Sequence, residues 1–188
     1  EREEKLNVKK LEDYFQEVLP KLQSNFFISL IEGRVREEDY ERFLLDYQVD
    51  MKGPLFCCII FHTSENDVPD GMNPLLLSMS VERERLMENC NCQEFIYMGN
   101  TILIMELHSE DEIAQLTDKC DRFCRWAWRI MGAAVTAGVG TVCNNLYDIS
   151  NVSTKMLKKL DKKVDLKVIA EQDSVDTRIK TFVKKYAA

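Results

Sequence analysis

The chain has 188 residues, of which 45% are hydrophobic, 30% charged and 9% aromatic. That composition belongs to one or two globular domains and excludes disordered, fibrous and low-complexity chains. Lysine and arginine number 25 against 32 aspartates and glutamates, a formal net charge of −7. Phosphate backbones are neutralised by Lys and Arg, so direct nucleic-acid binding is not expected of so acidic a chain. No window approaches about 18 uninterrupted apolar residues, so no membrane span is expected. The opening Glu1-Arg2-Glu3-Glu4 is not a signal peptide. The missing initiator methionine makes the chain read as a piece of a longer protein. Cysteines stand at 57, 58, 90, 92, 120, 124 and 143, an odd set. Without a secretory signal they read as reduced thiols in a cytoplasmic protein.

Residues 1–32 read as one long helix. Val8, Leu11, Phe15, Val18 and Leu22 recur at alternating steps of three and four, an a/d seam that Asn25 continues with a polar residue. Pro20 interrupts the pattern and is expected to kink it. The seam either pairs with a second copy, giving a homodimer, or packs on the chain's own domain. Gly33 closes this helix. Residues 37–47 form a short helix with Tyr40, Phe43, Leu44 and Tyr47 on one side, and Gly53-Pro54 marks a turn.

The run Leu55–Phe61 is continuously apolar and short, which fits a buried strand. Residues 74–90 carry a helical stripe, with Asn73 as cap and Pro74 at the first helical position. Two β-rich runs, 93–98 and 101–107, flank Gly99-Asn100, a hairpin signal. The clearest helix spans 110–131, capped by Ser109 with Glu112 three positions on. Its apolar face holds Ile113, Leu116, Cys120, Phe123, Cys124, Ala127 and Met131. Arg122, Arg125 and Arg129 mark the other face, and Gly132 ends the helix. A strand is expected over Ala133–Val142, then a helix over 146–162 started by Asn145 or Asp148. A strand over Val164–Ala170 and a tail helix from Ser174 to Tyr186 complete the pattern. The expected class is α+β. The first six elements give a ferredoxin-like β-α-β-β-α-β sheet with helices on one face, preceded by the long N-terminal helix.

With its Gly-bearing central hairpin, this order resembles the nucleotide cyclase and GGDEF group of domains. Tyr97-Met98-Gly99-Asn100-Thr101-Ile102 lies where that group has Tyr-Gly-Gly-Asp-Glu-Phe. Val135-Thr136-Ala137-Gly138-Val139-Gly140 is similar to its later strand, commonly Val-Thr-x-Ser-x-Gly. A second resemblance covers the whole chain. Phe26–Arg34 and Met51–Phe56 look like the region after the receiver domain in AraC-type response regulators. Val175–Ala187 is similar to the opening helix of their DNA-binding domain. The resemblance implies a middle region of a two-component transcription factor. Its parts are a linker helix over 1–33, a degenerate GGDEF-like regulatory domain over 34–173, and the start of a C-terminal helix over 174–188. Receiver and helix-turn-helix domains of the same full-length chain are its implied partners.

A working cyclase holds two divalent cations on a triphosphate with carboxylates, because the metals neutralise and orient the phosphates. The family takes one Asp from the end of the first strand and acidic residues from the hairpin. Here the hairpin has Gly99, Asn100 and Thr101, and the first strand ends in Phe61-His62-Thr63. Neither place supplies a carboxylate, so no catalytic residue, metal or cofactor is expected. Glu65 and Asp67 lie beyond, in a loop out of register.

Other candidates each have a plain structural role beside the chemical one. His62 and His108 lie near strand ends, where a capped or exposed histidine is the ordinary case. Cys90-Asn91-Cys92 and Cys120-x-x-x-Cys124 have thiolate chemistry suited to soft metals. The spacing is not a paired Cys-x-x-Cys, and buried cysteine acts as a small hydrophobe. Glu82 and Arg83 interrupt a helical stripe and mark a ligand or partner surface, or else snorkel at the core's edge. Trp126 is either an interface anchor or a packed core ring.

Three functions follow in order of expectation. The first is a non-catalytic regulatory and dimerisation module of a cytoplasmic bacterial response regulator that controls transcription. The second is a ligand- or nucleotide-sensing domain that kept a cyclase-like cleft without its metals. The third is an active cyclase, against which the missing carboxylates argue.

Overall fold

In the computed structural model the described residues are 2–63, 88, 90–153, 155 and 180–182. The chain is α+β and divides into two units, Glu1–Asp50 and Met51–Ala188.

The first unit holds two helices, α1 (Arg2–Ile31) and α2 (Glu37–Asp46). Lys, Glu and Leu dominate α1, residues that lose little rotamer freedom in a helix. The helix runs on through Pro20, whose missing N–H leaves one carbonyl of the preceding turn without its helical donor. Gly33 (φ 68°) ends α1. Its N–H reaches the Leu30 carbonyl at 3.0 Å, and the Arg34 N–H reaches Ser29 at 2.9 Å. This is a Schellman closure, which favours glycine at the left-handed position. The same closure ends α2, with Val49 N–H to Leu44 and Gln48 N–H to Leu45. There Gln48, at φ 51°, takes the position glycine usually fills.

The two helices share an aromatic cluster. The Phe26 ring meets Phe27 at 5.2 Å, Tyr47 at 5.9 Å, Phe43 at 6.2 Å and Tyr40 at 6.5 Å. Gln23 donates from Nε2 to the Tyr47 carbonyl at 3.0 Å. The first unit therefore runs on to Asp50 where a boundary at Gly33 was expected, because the predicted rings of α2 close on Phe26.

The second unit is a sheet with a long α-helix packed on it, and residues 149–153 and 155 are helical as well. Its strands are β1 (Leu55–Thr63), β2 (Cys92–Tyr97), β3 (Asn100–Leu107), β4 (Val135–Val139) and β5 (Lys180–Phe182). Their order across the sheet is β2-β3-β1-β4-β5, and every neighbouring pair is antiparallel. α3 (Glu112–Met131) lies between β3 and β4 in the chain. Cys57, Ile59, Phe61, Leu103, Met105 and Ala137 pack with Leu116, Cys120, Phe123 and Ala127 of α3. The Phe61 and Phe123 rings meet edge-on at 4.8 Å. Each Leu, Ile, Phe or Met side chain so buried contributes about 1.5–3 kcal/mol relative to exposure. On the opposite face of the sheet Phe56, Cys58, Ile60, Ile102 and Ile104 are buried too, which is why β1 reads as an unbroken apolar run.

Several expectations shift. The hairpin turn is Met98-Gly99, one residue earlier than predicted, and Tyr97 pairs with Asn100. Both turn residues have positive φ, 49° and 75°, the geometry whose twist matches the flanking strands. α3 begins at Glu112, whose carboxylate accepts the His108 N–H at 3.3 Å. The acidic half of the expected capping box thus acts one residue ahead of Ser109. β4 is shorter than Ala133–Val142 because its ladder with β1 slips. Ile59 pairs with Val139 and the Gly140 N–H reaches the Cys58 carbonyl, but Phe56 pairs with Cys143, so one residue is bulged out. Asn145 starts the next helical turn, its side chain accepting the Tyr147 N–H at 2.9 Å.

The tail is corrected most. A helix was expected from Ser174 to Tyr186, yet residues 180–182 form β5, with Thr181 opposite Gly138. An unpaired β4 edge carries open N–H and C=O groups, and the Ile-Lys-Thr-Phe-Val stretch is rich in strand formers. Of the helix expected at 74–90 only residues 88 and 90 are described, and neither is helical. Of the helix expected at 146–162, residues 149–153 and 155 are helical, and its end and the strand at 164–170 lie outside the described residues.

Candidate functional site

The register of β1 on β3 runs from Leu55 opposite Leu107 to Phe61 opposite Thr101, and its next step sets His62 opposite Asn100. On the far side of each, His62 pairs with Thr136 of β4, and Asn100 pairs with Tyr97 of β2. A row of four polar side chains, Tyr97, Asn100, His62 and Thr136, therefore crosses four strands on one face of the sheet. In the adjacent row on that face stand Phe95, Ile102, Ile60 and Gly138.

Asn100 is buried and His62 half-buried. His62 Nδ1 lies 2.7 Å from Asn100 Oδ1. The Asn100 amide nitrogen donates to the carbonyls of Met98 at 3.1 Å and Tyr97 at 3.3 Å. Carbonyl oxygens only accept, so they fix which way the amide faces and leave Oδ1 to accept from the imidazole. The Nδ1 of His62 therefore carries the hydrogen, and in the neutral ring Nε2 keeps the lone pair. The arrangement hydrogen-bonds the turn to the end of β1, with Tyr97 and Thr136 in the same row on either side. None of these four residues is a carboxylate.

Sequence reasoning singled out Gly99, Asn100 and Thr101 as the degenerate hairpin motif, and named His62 separately. Their partnership appears only when the strand register is known, as do the flanking Tyr97 and Thr136. Thr101 points to the α3 side of the sheet with Phe61, fully buried, its hydroxyl without a partner among the described residues. His108 is exposed.

The remaining candidates scatter. The seam divides: Val8 and Leu11 are exposed, while Phe15, Val18 and Leu22 are half-buried. Trp126 is half-buried; it stacks on Phe123 at 5.9 Å and packs against the core, while Trp128 is the more exposed of the two. Glu82 and Arg83 lie outside the described residues.

The cysteines mostly line the core. Burial pushes the Cys57 and Cys124 thiols up to about 12 and Cys143 to about 11, and raises Cys58 and Cys120 well above the ordinary range. Cys57 donates to the Gly140 carbonyl at 3.3 Å, inside the bulge. Among the described residues no three His, Cys, Asp or Glu side chains come together as a metal site, and no helix is long and apolar enough to cross a membrane. Comparison with protein-family models, curated proteins and solved structures returns no match.

Proposed function

We propose that this chain is a non-catalytic regulatory and dimerisation module of a cytoplasmic bacterial two-component response regulator, lying between a receiver and a helix-turn-helix pair. The observation that carries the reading is the pairing of His62 with Asn100 on this strand order. Strands 2-3-1-4 with antiparallel neighbours are what a β-α-β-β-α-β chain builds when its hairpin folds back beside the first strand. This supports a ferredoxin-like, cyclase-like sheet. In such a sheet the end of β1 and the hairpin are where a cyclase presents its metal-binding carboxylates. Here an imidazole and an amide stand there and bond to each other. Hard cations on a triphosphate need anionic oxygens, so the site is no longer a cyclase centre and the sheet serves as a scaffold. Signal then passes through α1, and the module associates as a homodimer through that helix.

Incubation with GTP and magnesium tests the loss of chemistry. No cyclic dinucleotide is expected, and turnover that disappears in Asn100→Ala overturns the reading. The full-length gene tests the setting: a coding sequence without a receiver or a helix-turn-helix segment overturns it.

A second reading is favoured by the polar row itself. Tyr97, His62 and Thr136 are half-buried and share a face, an arrangement suited to hydrogen-bonding a small ligand. Thermal-shift screening against nucleotides and metabolites separates the two: a hit lost in His62→Ala favours sensing, and a blank panel favours the scaffold.

A further inference from the structure

We propose that Val8, Leu11, Phe15 and Val18 pair in parallel with the same residues of a second copy of this chain, and that the pairing stops at Val18. The pairing rests on the regulatory reading for its purpose, not for its geometry. Along α1 the apolar residues pass from an exposed set to a buried set through the half-buried Phe15, Val18 and Leu22. In the first half, Val8 is 57% exposed, Leu11 74% and Tyr14 66%. In the second half, Leu19, Phe26, Phe27, Leu30 and Ile31 are buried within the chain. With Val8 at a and Leu11 at d, Leu19 takes an e position flanking the seam. Its burial turns that flank toward the chain's own packing, so a second helix cannot follow the seam beyond Val18.

Charge selects the direction. Asn7 and Glu12, both exposed, occupy the g and e positions beside the upper layers. In a parallel pair, each Asn7 amide lies next to Glu12 of the second copy, a donor facing an anionic acceptor. The antiparallel pair that keeps the same four layers sets Glu12 beside Glu12 of the second copy, and like charges there oppose association. Four layers are few, so the dimer is weak and must offset the entropy of association.

The test uses the whole 188-residue chain. Sedimentation at rising concentration is expected to show reversible dimerisation. Leu11→Lys is expected to weaken it at least about tenfold while leaving the melting temperature of the dilute, monomeric chain unchanged, since Leu11 is exposed in the single chain. A photo-crosslinking residue at position 8 is expected to capture the second copy at Leu6–Lys9 rather than at Leu11–Lys21. A monomer at every concentration, a dimer indifferent to Leu11→Lys, or a cross-link to Leu11–Lys21 each overturns the pairing. A monomer also removes the dimerisation part of the regulatory reading, whereas a dimer indifferent to Leu11→Lys or a cross-link to Leu11–Lys21 overturns this seam alone; the GTP incubation and the gene setting test the rest of that reading separately.

Discussion

His62 at the end of β1 donates from Nδ1 to Asn100 at the start of β3, 2.7 Å away. The two residues are far apart in sequence, and the bond ties the hairpin turn to a central strand. A hydrogen bond of this kind contributes about 1 kcal/mol net. In urea unfolding, His62→Ala and Asn100→Ala are therefore expected to show a coupling of about 1 kcal/mol. Effects that add within about 0.3 kcal/mol are inconsistent with the bond. Asn100→Asp keeps the shape but replaces the amide donor with an acceptor facing the Tyr97 and Met98 carbonyls. It is expected to destabilise at least as much as alanine.

Met98 holds φ 49° in the two-residue turn and is 78% exposed. A left-handed conformation costs a non-glycine residue about 1–2 kcal/mol, and asparagine tolerates it best after glycine. Met98→Asn creates the Asn-Gly pair this turn prefers. The protein is expected to gain on the order of 1 kcal/mol, and Met98→Val to lose about as much. Equal midpoints for the three proteins in chemical denaturation count against the turn assignment.

Gly53 is there because Glu106 crosses it. A Cβ at residue 53 falls 2.2 Å from Glu106 Cγ, while the Glu106 carboxylate accepts from Lys52 N–H at 3.2 Å and Asn91 Nδ2 at 3.0 Å. Gly53→Ala must displace that side chain, at a cost of about 1–3 kcal/mol. In a Glu106→Ala background the three nearest atoms are gone, and the same substitution is expected to cost much less. Equal costs in both backgrounds show that the clash is not the cause.

The buried thiols set an alkaline limit. In the folded chain Cys57 stays protonated up to about pH 12, whereas in the unfolded chain its thiol ionises near 9. The stabilisation is whole below pH 9 and is lost as pH rises toward 12, at about 1.4 kcal/mol per pH unit for one thiol. Urea midpoints are expected to fall steeply above pH 9, and Cys57→Ala to flatten the slope even where it lowers the plateau. An unchanged slope in that variant shows that Cys57 does not contribute. At pH 8, thiol reagents are expected to spare Cys57, Cys58 and Cys120 in the folded chain.

Periodicity and turn chemistry alone determined most of the elements of this protein. The short apolar run at 55–61 fitted a buried strand, Gly33 and Gly132 marked helix ends, and the stripe Leu116-Cys120-Phe123-Ala127 marked a core-facing side. Those are local facts, legible because side-chain spacing follows the helix or strand period. The absence of carboxylates from the hairpin was equally plain. The tertiary structure alone decided who meets whom. Register brought His62 to Asn100, and no local pattern states a register between distant strands. The bulge before Cys143 depends on β1 as much as on β4. Residues 180–182 became strand because the open edge of β4 outweighed an amphipathic spacing that also suits a helix. In α1 one continuous helix carried two fates: Phe26 and Leu30 met in-chain packing, and Val8 and Leu11 did not. Spacing says which side chains share a face, whereas burial depends on what the rest of the chain brings to that face.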